Sequence, residues 1–125
     1  ASSGVRSSVE AARNALSDKI QYLTEFLGGE YEIQGAYPAW EYRKESPLRD
    51  KMVEVYETMY GQKPEVVAIH AGLECGLFYK KIDGLDCVSL GPDMKDIHTS
   101  EEVLDIASTE RVWKYLVKVL EELKD

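Results

Sequence analysis

Past residue 46 the chain alternates runs suited to buried strands with runs suited to helices, and this alternation restricts its fold more than any other feature. Val66 to Ile69 is short, β-branched and continuously apolar, the pattern of a strand covered on both faces. Asp86 to Leu90 reads as another buried strand, ending at Gly91-Pro92. Before them, Ser46-Pro47 reads as a helix start, a cap followed by a first-turn proline. Leu48, Met52, Val55, Tyr56 and Met59 then supply a stripe at helical spacing, and Gly61 stops it. Near the other end, Ser108 is the expected cap of a last helix with Val112, Leu116, Val119 and Leu123 on one side. Alternation of this kind predicts an α/β fold, a parallel or mixed sheet covered by helices. In such sheets ligands sit at the carboxyl ends of the strands. Two loops meet that description, His70 to Gly76 and Gly91 to Glu102, and each holds one of the two histidines of the chain.

The first forty residues read differently. Gly4 to Ser8 fits a short strand, with Ser7-Ser8 as the N-cap of a helix whose apolar positions are Ala12, Leu16, Ile20, Leu23 and Leu27. Gly28-Gly29 ends that helix. Tyr31, Ile33 and Gly35 alternate with Glu32 and Gln34, which predicts a half-exposed strand. Between Tyr37 and Pro47 the composition shifts to prolines, tyrosines and Trp40 with Arg43, Lys44 and Glu45, so a domain boundary is expected inside this connector.

A chain of 125 residues with 44% hydrophobic and 30% charged side chains suits a soluble globular protein. Its net charge of −8 argues against a nucleic-acid partner, because polyphosphate binding needs surplus Lys and Arg. No apolar run approaches the roughly 20 residues that span a bilayer, and no basic-then-apolar leader is present, so neither membrane nor secretion is expected. Cys75 and Cys87 make neither a disulfide framework nor a zinc knuckle; they read as thiols of a reducing compartment, the cytoplasm. Cysteine catalysis through Cys75 and His70 is disfavoured, since Glu74 beside the thiol would raise its pKa.

Three features could carry chemistry. His98 lies among acids, from Asp93 to Glu102; an imidazole there is a candidate zinc ligand or a solvated loop residue. The pair Glu101-Glu102 also fits the first turn of a helix, where the dipole favours acids. In His70-Ala71-Gly72-Leu73-Glu74-Cys75-Gly76 a buried strand breaks into a helix start, a place for a carboxylate or phosphate, and the glycines permit close approach. A purely structural turn fits the same residues. Arg6 is either a surface arginine or a bidentate fork for a substrate carboxylate.

Taken in order, Val5-Arg6-Ser7-Ser8-Val9, Tyr37-Pro38-Ala39-Trp40, Ile69-His70-Ala71-Gly72-Leu73-Glu74-Cys75-Gly76-Leu77-Phe78, Val88-Ser89-Leu90-Gly91-Pro92 and His98 resemble the bacterial aminoacyl-histidine dipeptidases. These are the Xaa-His dipeptidases, or bacterial carnosinases, of the two-metal aminopeptidase and carboxypeptidase clan. The resemblance runs nearly end to end, and the run from His70 to Gly76 is its most specific part. It implies the C-terminal fragment of a longer enzyme. Residues 1–40 would be the last strand-helix-strand part of an inserted lid domain, the dimerisation-type domain of a homodimer. Residues 41–125 would be the closing segment of the mixed-sheet catalytic domain. Two zinc ions would activate water against a dipeptide, with His98 ligating one of them. Arg6 would meet the substrate carboxylate, and His70, Gly72 and Glu74 would face the substrate. The other metal ligands and the catalytic glutamate belong to family segments absent here, so no catalytic residue is expected in this chain and the fragment alone is expected to be inactive. Thr99-Ser100-Glu101-Glu102 departs from the family's Ser-Pro-Asp-Glu, and Ala39 replaces a common glycine. The competing expectation is a stand-alone acidic α/β binding or interaction module without catalysis.

Overall fold

A computed structural model describes residues 2–69 and 74–124. In order, these form helices α1 (Glu10–Phe26), α2 (Pro47–Tyr60) and α3 (Glu74–Lys81), strands β1 (Met94–Lys95) and β2 (Val103–Leu104), and helix α4 (Ile106–Glu122). The chain divides into two compact units, Ala1–Glu45 with Val66–Asp86, and Ser46–Glu65 with Cys87–Asp125.

The second unit holds the buried core. Helix α2 starts as the sequence predicts: the Ser46 hydroxyl accepts the Arg49 backbone N–H at 3.1 Å, and Pro47 occupies the first turn. It stops at Gly61, whose φ of 70° is the left-handed conformation that glycine adopts without a Cβ penalty. Its stripe packs on α4, where Met52, Val55, Tyr115 and Val119 are buried and Leu48, Tyr56, Met59, Tyr60 and Val88 close around them. The Tyr56 and Tyr115 rings meet edge-on, centroids 5.3 Å apart at 87°, the arrangement aromatic quadrupoles prefer. The buried Tyr115 hydroxyl donates to the Met52 carbonyl at 2.7 Å.

Burial pushes the Tyr115 phenol up, and the neighbouring Tyr56 and Tyr60 add to the shift. A raised folded pKa means that the unfolded chain ionises first as pH rises. The stabilisation is complete below the ordinary phenol value of 10.0 and is lost as pH climbs from there through the folded value. Thermal melts followed by circular dichroism should show a midpoint that drops above that pH, with a smaller drop in Tyr115→Phe. Equal drops would remove Tyr115 as the cause.

In the first unit α1 has no buried residue. Its expected stripe stays open to solvent: Leu16, Leu23 and Leu27 are all exposed. Polar links do the joining. Arg13 donates to the Tyr37 carbonyl, Lys80 at the end of α3 pairs with Glu10 at 3.4 Å, and the Ser17 and Tyr31 hydroxyls lie 2.6 Å apart. Arg43 donates to the Gly84 carbonyl at 3.0 Å. Helix α3 approaches the connector closely at Gly76, which is buried; a Cβ there would lie 2.9 Å from the Pro38 carbonyl oxygen.

Several expectations need correction. None of the runs read as strands (Gly4 to Ser8, Tyr31 to Gly35, Val66 to Ile69, Asp86 to Leu90) is a strand among the described residues. The ladder found there is antiparallel, Met94 with Leu104 and Lys95 with Val103, not part of a parallel or mixed sheet. A strand exists only as one half of a pair, and a run that is apolar on both faces needs a layer on each. Val66, Val67 and Ile69 are 48%, 64% and 51% exposed, so neither condition is met. The caps also differ. Helix α1 begins after Val9 with no side-chain cap, the Ser7 hydroxyl accepting instead from the Val9 N–H at 3.1 Å. Helix α4 is capped by Asp105, whose carboxylate accepts the Ser108 N–H at 2.7 Å, so Ser108 is inside the helix.

Candidate metal and substrate residues

His98 sits in the loop that joins β1 to β2. The loop is tied at its base: the Asp105 N–H donates to the Asp93 carbonyl at 2.9 Å, and the Asp93 N–H donates to the Ser108 hydroxyl at 2.8 Å. That hydroxyl in turn donates to the Asp105 carbonyl at 2.7 Å, and Ser108 is only 2% exposed. Arg111 reaches the Asp93 carboxylate at 3.4 Å. Removing the hydroxyl takes away the part-buried bonds to the Asp93 N–H and the Asp105 carbonyl, a loss of about 1 kcal/mol. Ser108→Ala should therefore lower the denaturation midpoint and broaden the backbone signals of residues 93–105, whereas an unchanged midpoint would show that the clamp is idle.

Inside the loop the backbone turns through two left-handed residues, Asp96 at φ 51° and His98 at φ 67°. Such a conformation costs a non-glycine residue roughly 1–2 kcal/mol, least for Asp, Asn and His. Local bonds offset it. Both the N–H and the hydroxyl of Thr99 donate to the Asp96 carbonyl, at 3.1 and 2.7 Å. Thr99 also accepts the Glu101 N–H on its hydroxyl at 3.2 Å. The Glu102 carboxylate accepts the His98 backbone N–H at 2.7 Å. Glu101 and Glu102 thus lie before α4 and outside its first turn, which corrects the dipole reading of that pair.

The imidazole of His98 is exposed. Among the described residues no group of three or more His, Cys, Asp or Glu side chains could hold a metal ion. A catalytic zinc takes three protein ligands, so the described residues alone do not fit a zinc centre, and His98 could be one contributor at most. The other candidates lie in the first unit. Arg6 is exposed in the segment before α1, and Glu74 is the exposed first residue of α3. His70 and Gly72 lie outside the described residues. Gly76 admits a neighbour closely, as glycine was expected to, but that neighbour is the chain's own Pro38–Trp40 segment. Cys75 and Cys87 are half-buried and form no disulfide. Sequence reading missed Glu102, Asp105 and Asp93 as builders of the His98 loop. An Asp three residues before Ser108 was the available signal, since a cap carboxylate accepts from the third helical N–H.

No helix among the described residues is long and apolar enough to cross a membrane. No protein-family model matches the chain. A cytosol non-specific dipeptidase of Escherichia coli K12 is 33% identical over 119 residues, covering 95% of this chain and 24% of that protein. The crystal structure of aminoacylhistidine dipeptidase from Vibrio alginolyticus matches with a TM-score of 0.75 and 34% identity, again over 95% of this chain and 24% of that one. The chain therefore spans about a quarter of the length of the relatives it matches. In sequence and in backbone alike, the chain is similar over 95% of its length to about a quarter of these dipeptidases, and is related to them as a segment of the longer protein.

Proposed function

We propose that the chain is a C-terminal segment of a metal-dependent dipeptidase that hydrolyses Xaa-His dipeptides of the carnosine kind in the cytoplasm. The observation that carries this reading is the match over 95% of the chain, at 34% identity and a TM-score of 0.75, to an aminoacylhistidine dipeptidase. Residues 1–40 would close the lid through which two subunits pair, and residues 41–125 would complete the catalytic domain. His98 would supply one ligand to a zinc ion, the rest coming from the larger part of the enzyme. Arg6 would grip the substrate's carboxylate with its two-pronged guanidinium. His70, Gly72 and Glu74 would line the substrate's path. The many large apolar side chains left open, among them Phe26 at 86%, Val67 at 64% and Trp113 at 65%, suit a segment whose partners lie in a larger fold.

On this reading the 125 residues alone lack a metal centre and a general base. Purified chain supplied with Zn(II) should release no histidine from an Xaa-His dipeptide above the no-protein blank. In a dipeptidase carrying this segment, His98→Ala should lower kcat by at least about 100-fold, as loss of a metal ligand does when even an outer partner is worth 10–100-fold. Metal-dependent hydrolysis by the isolated chain, or an active His98→Ala enzyme, would sink the assignment.

A further inference from the structure

We propose that Glu102 is a positioning residue for His98, its carboxylate holding the backbone of that histidine in the left-handed conformation from which the imidazole is presented. The inference rests on the reading of His98 as a metal ligand, and goes beyond it by naming what fixes the ligand in place. An N–H in a left-handed turn has no helical or ladder carbonyl waiting for it, and must find a side chain or water. Here it finds a carboxylate oxygen at 2.7 Å, from a residue four positions on. That bond has an ionised acceptor and a short length, which places it among the stronger hydrogen bonds.

The other bonds of the loop do not substitute for it. Thr99 ties its own N–H and hydroxyl to Asp96, Glu102 returns its N–H to the Thr99 carbonyl at 3.3 Å, and Glu101 reaches the Thr99 hydroxyl. These close the turn on either side of His98 without touching its amide. The Asp105–Asp93–Ser108 clamp holds the base of the loop at β1 and β2, several residues from the imidazole. Glu102 adjoins β2 at Val103, so its Cα is anchored by the ladder while its side chain reaches back. A ligand on a free loop pays for being ordered each time a metal binds, whereas a backbone already held in place does not.

The test uses the 125-residue chain, with Glu102→Ala and Glu102→Gln. Glu102 is exposed, so neither change disturbs the α2–α4 core, which the ring signals of Tyr115 will report. In Glu102→Ala the His98 amide should exchange with solvent about tenfold faster, the factor set by losing a bond worth about 1.4 kcal/mol. Its HN–Hα coupling should shift away from that of a positive φ. Glu102→Gln, which keeps an acceptor oxygen, should restore part of both. Unchanged exchange and coupling in Glu102→Ala would overturn the proposal. Zn(II) affinity, measured in a dipeptidase carrying this segment, separates this from the ligand assignment. Affinity about tenfold weaker in Glu102→Ala than in the unsubstituted enzyme supports the positioning role, and equal affinities overturn it. Unchanged Zn(II) affinity in His98→Ala of that enzyme overturns the metal half of the proposal together with the ligand assignment, while the amide measurement still decides whether Glu102 holds the backbone.

Discussion

Tyr115→Ala should unfold the helix pair α2–α4 at room temperature. The ring is 7% exposed and sits at the centre of the buried cluster with Met52, Val55 and Val119. Truncating a buried aromatic to alanine costs about 3–5 kcal/mol, against a total of about 5–15 kcal/mol that holds an ordinary domain. This core is smaller than ordinary, with four buried apolar side chains among the described residues, so the unit has little stability to lose. The edge-on contact with Tyr56 and the 2.7 Å bond to the Met52 carbonyl disappear with the ring. Tyr115→Phe separates the two contributions. It keeps the ring and its packing and removes only the hydroxyl bond, a loss of about 1 kcal/mol. Circular dichroism should therefore show a large loss of helix in the alanine variant and a modest fall in melting temperature in the phenylalanine variant. A folded, cooperative alanine variant would mean that the helix pair is held by something other than this cluster.

Legibility in the sequence followed the range of the interaction. Local chemistry was readable: the Ser46-Pro47 start, the Gly61 stop and the stripe from Leu48 to Met59 depend on residues a turn apart, and the structure has all of them. Pairing was not readable, because Val66 to Ile69 records only that a strand would suit these residues. Whether a neighbour exists is a fact about other parts of a fold, and those residues lie exposed and unpaired among the described ones. The same limit explains α1, whose apolar positions predict a covered face, whereas none of its residues is buried. At the candidate site, His98 could be found by residue type, but its setting could not. A left-handed histidine held by a glutamate four residues later is set by φ and by one hydrogen bond. The acidic pair that supplies that glutamate reads equally well as a helix start. Asp105 and Ser108 show how close such readings come. The helix start was placed three residues late because serine and aspartate cap by the same chemistry.

Gly76→Val should detach α3 from the connector. Two effects compete at this glycine. In a free helix, adding a side chain is favourable, since glycine costs about 0.5–1 kcal/mol relative to alanine. In this fold the new Cβ would lie 2.9 Å from the Pro38 carbonyl oxygen and 3.6 Å from the Trp40 Cβ. The first of these is backbone, so the clash cannot be relieved by swinging a side chain away, and overpacking of this kind costs about 1–3 kcal/mol. For alanine the two effects nearly cancel at the low end of that range. Valine forfeits the gain in helix propensity through its branching and adds further methyls to the crowded side, so sterics win. Glu74 is two residues away on the same helix, and its position would move with α3. Trp40 is half-buried beside Gly76 and reports the change, while the second tryptophan, Trp113, is 65% exposed in the other unit. In a Trp113→Phe background, Gly76→Val should shift the Trp40 emission to the red and speed amide exchange in α3, with Gly76→Ala lying between it and the parent. Should the valine variant keep the parent's Trp40 emission and α3 protection, the approach of α3 to Pro38 would not be what holds this helix in place.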